Sequence, residues 1–118
     1  MKYLNLNVDI LLVEAGLNDW GAGVSAGEYK YSNWTKKDFT TFRPAFAYML
    51  DYLTKHTRAK IIFMKYEGID GEIGESIDTI CKHYNIPVLV LSNISLTGWH
   101  PNVEGMYQIF MQVKDFII

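Results

Sequence analysis

Val8-Asp9-Ile10-Leu11-Leu12-Val13-Glu14-Ala15 is a nearly continuous apolar run that stops at Gly16. Such a run, without strict alternation, is the pattern of a strand covered on both faces, and strands of that kind belong to parallel sheets flanked by helices. Residues 60–65 and 87–91 read as two more buried strands, the last with Pro87 at its permitted first position. From about residue 40 to 56, Phe42, Phe46, Met49, Leu50 and Leu53 recur at helical spacing, with Pro44 tolerable only in the first turn. Ile69, Ile73, Ile77, Ile80, Cys81 and Tyr84 trace a second helical face, weakened at its start by Gly71 and Gly74. Val103, Met106, Phe110, Val113 and Ile117 mark a terminal helix. Strand and helix alternate three times, which implies right-handed parallel crossovers and a three-layer, flavodoxin-like α/β sheet.

The chain has 118 residues, 49% of them hydrophobic and 20% charged, enough for the core of one domain and too apolar for wholesale disorder. The formal charge is −2 with no basic stripe, which argues against a nucleic-acid partner. No apolar run approaches the roughly 18–20 residues of a membrane span, and Met1 to Asn7 lacks the apolar core of a secretory signal, leaving the cytoplasm as the default expectation. The lone Cys81 has no partner for an intrachain disulfide, so stability must come from packing and the redox compartment stays open.

One tension runs through this layout. Three parallel strands joined in sequence leave the first at an edge, yet residues 8–13 have the composition of a sheet centre. The expectation is that something pairs with this strand, either a second copy of the chain or a missing N-terminal half.

Ligands of open α/β sheets gather at the carboxyl ends of the strands. After the first strand comes Gly16-Leu17-Asn18-Asp19-Trp20-Gly21, and after the third comes Ser95-Leu96-Thr97-Gly98-Trp99-His100-Pro101-Asn102. An Asn amide can stabilise a developing oxyanion and a His can act as general base, the two needs of acyl transfer. Each segment also has a plain structural account: Asn18-Asp19 as a strand-terminating turn, and Asn102 as a helix N-cap stiffened by Pro101. The pair outweighs either alone, because both fall at the same edge of the sheet.

Other chemistries fit less well. The glycines of Gly21-Ala22-Gly23-Val24-Ser25-Ala26-Gly27 begin too far after the strand for a dinucleotide fingerprint, so a flexible loop over the site is expected there. His56, His83 and His100 are scattered, and Cys81 and His83 point to diverging helix faces, which speaks against a metal centre. Trp20, Tyr29, Tyr31 and Trp34 offer a platform for an acyl group or a sugar ring, or simply pack on their own scaffold.

The two segments resemble blocks of the SGNH (GDSL-like) serine hydrolases, one reading Gly-x-Asn-Asp after a central strand and one reading Asp-x-x-His-Pro-Asn-x-x-Gly before the last helix. Val8 to Asp19 matches the first, and Thr97-Gly98-Trp99-His100-Pro101-Asn102-Val103-Glu104-Gly105 matches the second except at its first position. The resemblance corresponds to the C-terminal part of such a domain. It implies hydrolysis of carboxylic esters, small or on carbohydrate, with Asn18 as oxyanion donor, His100 as general base and no cofactor. Asp19 then shapes the turn, Thr97 stands where the family has its His-orienting aspartate, and Gly16, Trp20 and Trp99 are candidate substrate contacts. The family's Gly-Asp-Ser nucleophile block is not found here. Ser25, Ser32, Ser76, Ser92 and Ser95 all lack that context, so the chain alone is expected to be inactive. The other reading is a non-catalytic α/β module that binds a partner or itself through the first strand's edge.

Overall fold

The computed structural model describes residues 8–117; the segment Met1 to Asn7, with its lack of a signal-like core, lies outside them. The three apolar runs form a parallel sheet of β1 (Ile10–Glu14), β2 (Lys60–Tyr66) and β3 (Val88–Leu91) in the order β1-β2-β3. Leu12 aligns with Ile62 and Val13 with Phe63, while Phe63 aligns with Val88 on the other side.

Alternation along β2 divides the molecule into layers. Ile61 and Phe63 face one side, where α2 (Phe42–His56) and α3 (Gly71–His83) deliver Phe46, Leu50, Leu53, Ile73, Ile77 and Ile80. Ile62 faces the other, joined by Leu89 and Leu91 and covered by Ile109 and Val113 of α4 (Val103–Ile117). This is the three-layer arrangement expected from the sequence, and Pro44 sits in the first turn of α2 where its missing N–H costs nothing.

The second layer is much thinner than the first. Of the five apolar positions expected to bury α4, only Val113 packs on the sheet; Val103, Met106, Phe110 and Ile117 are 88%, 63%, 58% and 40% exposed. The helix turns Ile109, Gln108 and Gln112 inward instead. The two glutamine side-chain oxygens accept from the backbone N–H groups of Ser95 and Ser92. β1 is an edge strand among the described residues, and its Ile10 and Leu12, on the same side of the sheet as α4, are 38% and 39% exposed.

The long connection after β1 departs from a simple loop. Residues 17–22 form a short helix, α1 (Leu17–Ala22), because Gly16 takes φ 96° and reverses the chain directly out of the strand. An added Cβ at Gly16 would press on Ile77 and Phe42. Beyond α1 the segment is tied down rather than flexible. Ser25 and Ala26 carbonyls accept from Phe42 and Arg43 N–H, and Arg43 donates to the Gly27 carbonyl and Ser76 Oγ while lying over the Tyr29 ring. Lys30 binds Asp38 at 2.7 Å and holds that carboxyl below its usual range, anchoring the 3₁₀ turn Lys36–Thr40.

Candidate active site

Asn18 and His100 line the same cleft, an open space of about 350 Å³ at the carboxyl end of β1, together with Glu14, Gly16, Asp19, Tyr66, Trp99 and Pro101. Asn18 reaches it from the first turn of α1, a helix rather than the strand-terminating turn considered from the sequence. His100 reaches it from a small antiparallel hairpin, β4 (Leu96–Thr97) and β5 (His100–Pro101), whose two-residue loop has Gly98 at φ 64°. Neither side chain makes a hydrogen bond among the described residues, so both are available to a ligand.

Two ring contacts bring these segments together. Trp99, at the hairpin tip, meets Trp20 of α1 edge-on with centroids 6.0 Å apart, and Trp20 is itself fixed by its Nε1 donating to Asp70 at 3.0 Å. The Trp20 ring therefore works mainly as a strut, and it lines a neighbouring apolar pocket rather than the polar cleft. Trp99 lines both. The aromatic platform weighed from the sequence does not assemble: Tyr31 stacks on His83 and Trp34 packs on Tyr48, away from Trp20.

The His-Pro-Asn-x-x-Gly motif has a local mechanical account. Asn102 caps α4 by accepting from Gly105 N–H at 2.9 Å, and its amide donates to Ser95 Oγ at 2.8 Å, closing the loop from which the hairpin projects. Gly105 is buried because α4 rests on the Ser95 carbonyl, and a Cβ there would collide with that oxygen. Gly105→Ala gains helix propensity of about 1 kcal/mol, yet it is expected to lower stability by a net 1–3 kcal/mol or so through overpacking. A urea titration reads the sign directly.

Thr97 lies directly across the hairpin from His100, backbone to backbone, and no hydrogen bond joins their side chains. Asp19 and Glu14 supply the carboxylates of the cleft. Tyr66, at the carboxyl end of β2, was missed by sequence reasoning, although its position at a strand end marks it. Burial first, and then the Glu14 carboxylate, hold its hydroxyl above the usual range, so it stays a neutral hydrogen-bond donor. No serine or cysteine lines the cleft among the described residues. Ser76 is buried against Arg43 and Ser95 is bound by Asn102, while burial pushes the Cys81 thiol up to about 12, far from a reactive thiolate. The described residues contain no cluster able to hold a metal ion and no helix long and apolar enough to cross a membrane.

The family model of GDSL-like lipases and acylhydrolases matches residues 1–117. The chain belongs to that family. A protein from Bacteroides ovatus, named a GDSL-like lipase, is 42% identical with a TM-score of 0.87 over 92% of this chain and 53% of its own. A GDSL-like lipase from Bacteroides uniformis is 40% identical with the same TM-score, over 92% of this chain and 52% of its own. A Lactobacillus plantarum protein at 19% identity and TM-score 0.74 shares the fold. The chain thus spans about half the length of its two Bacteroides relatives. No protein among the curated sequences matches it.

Proposed function

We propose that this chain supplies the oxyanion donor, Asn18, and the general base, His100, of an acyl-ester hydrolase site whose nucleophilic serine is carried outside these residues. The observation that carries the proposal is the meeting of two otherwise unengaged side chains, an amide and an imidazole, in one cleft at the carboxyl end of the sheet. The imidazole takes the serine proton as the hydroxyl attacks the ester carbonyl, and the amide N–H donates to the resulting oxyanion. Asp19 shapes the turn that presents Asn18, and Thr97 backs the hairpin strand that presents His100. No cofactor is required for this chemistry.

The chain alone is expected to give no acyl burst with p-nitrophenyl acetate. Fused behind the half of the Bacteroides ovatus protein that it does not match, it is expected to hydrolyse that ester. A folded fusion without hydrolysis overturns the proposal, and turnover by the chain alone that His100→Ala abolishes overturns the claim of an external serine.

A second reading, a self-assembling module, is favoured by the edge of β1, which has no partner strand among the described residues and carries the partly exposed Ile10 and Leu12, and by the exposed Met106 and Phe110 on α4. On that reading light scattering finds dimers or larger species, and Leu12→Lys returns them to monomer. A compact wild-type monomer at working concentration overturns it.

A further inference from the structure

We infer that Asp70, which lies outside the cleft, is a positioning residue for His100 and acts through the indoles of Trp20 and Trp99. The inference rests on the proposed role of His100 as general base, and it adds what holds that base in place.

His100 needs support from beyond its own hairpin. Its imidazole makes no hydrogen bond among the described residues, so its place is set by the hairpin backbone. That hairpin has two residue pairs, Leu96 with Pro101 and Thr97 with His100, and Pro101 has no N–H to give to the ladder. A two-stranded hairpin of this size is not stable by itself in water. Asn102 fastens its base to Ser95, but Thr97, Gly98 and His100 are exposed at the other end. The tie there is Trp99, whose ring meets Trp20 edge-on and runs along α1, where an added Cβ at Gly21 would sit 3.9 Å from it.

α1 is in turn a weak anchor: six residues, a glycine at each cap and no buried side chain. Asp70 supplies the firm point. It stands at the N-cap of α3, where an aspartate ordinarily accepts from the first-turn N–H groups, yet its side chain makes no cap bond. Its Oδ1 accepts instead from Trp20 Nε1 at 3.0 Å, across 50 positions of chain, and a charged acceptor makes such a bond stronger than a neutral one. The backbone beside it is held in place, with the Asp70 carbonyl accepting from Gly74 N–H and Ile69 and Ile73 buried in the core. A carboxylate that leaves its own helix uncapped to hold an indole is the observation that carries the inference. Position thus passes from the core through α3 and Asp70 to Trp20, Trp99 and the hairpin strand of His100.

Backbone ¹⁵N relaxation of the 118-residue chain tests this. Order parameters at Trp99 and His100 are expected near about 0.85 in the parent and below about 0.6 in Asp70→Ala, the values of rigid and flexible backbone. Those of β2 and α3 are expected to stay unchanged, since no cap bond is lost. Asp70→Asn keeps an oxygen acceptor and is expected to restore the rigid tip. Trp20→Phe lacks the N–H and is expected to loosen the tip as Asp70→Ala does, with no further loosening when the two are combined. In the fused protein Asp70→Ala is expected to lower kcat about tenfold with KM within about twofold, because a displaced base loses alignment and not substrate binding. A tip already flexible in the parent, a tip still rigid in Asp70→Ala, loosening that spreads through α3, failure of Asp70→Asn to restore it, or an active fusion whose kcat ignores Asp70→Ala each overturns the inference. A fusion inactive in every form overturns the hydrolase proposal instead and leaves the relaxation data to decide the positioning.

Discussion

His100→Ala in the fused protein is expected to lower kcat/KM for p-nitrophenyl acetate by about 10²–10⁴-fold, the range for loss of a positioned general base. His100 is exposed at the hairpin and holds no other described group, so the loss is one of chemistry and not of folding. Circular dichroism of the variant is therefore expected to match the parent. Asn18→Ala removes an oxyanion donor and is expected to cost roughly 10²–10³-fold in kcat. Thr97→Asp works in the opposite direction. Thr97 stands directly across the hairpin from His100, where a carboxylate would compensate the imidazolium formed in the reaction, and the change is expected to raise kcat. A loss below fivefold on His100→Ala removes His100 from the mechanism.

Phe63→Ala is expected to remove about 3–5 kcal/mol of stability, a large share of what a domain of this size possesses. Phe63 is fully buried at the centre of β2 and meets Phe46 of α2 edge-on at 5.3 Å, in the thick layer between the sheet and the two helices. Its removal leaves a cavity that the surrounding β-sheet and helices cannot close. Phe110→Ala is the matched control. That ring is 58% exposed on α4 and its loss is expected to change stability by less than about 0.5 kcal/mol. Urea midpoints at constant m distinguish the two, and a large loss at Phe110 would mean that another surface covers α4 in solution.

The same contrast explains which parts of the molecule were legible in advance. Buried strands announce themselves by composition, and α2 and α3 by apolar spacing, because both periods are set by backbone geometry and need no knowledge of neighbours. The positions named for α2 and α3 are the ones that fill the core. The same periodicity misled at α4: an apolar stripe records what a helix is suited to bury, and here most of it meets nothing among the described residues. α1 was hidden because six residues around a glycine leave no period to detect, and the left-handed turn at Gly16 that starts it is a backbone property.

The site divides along the same line. Asn18 and His100, which line one cleft, could be named as candidates from residue type, from their placement after strands and from two short motifs. Tyr66 and Glu14 could not, since a tyrosine and a glutamate at strand ends have no pattern of their own.

By itself the sequence determined the three strands, the two core helices and the family, and it nominated an amide and an imidazole as candidates, because these rest on local periodicity and local residue chemistry. Only the tertiary structure decided that the two side chains share a cleft, through the contact of Trp20 with Trp99 across 79 positions of chain. It alone also showed an apolar pocket beside that cleft and, among the described residues, a sheet edge without a partner strand. Contacts between residues distant in sequence depend on how layers stack and crossovers run, and no local pattern encodes that.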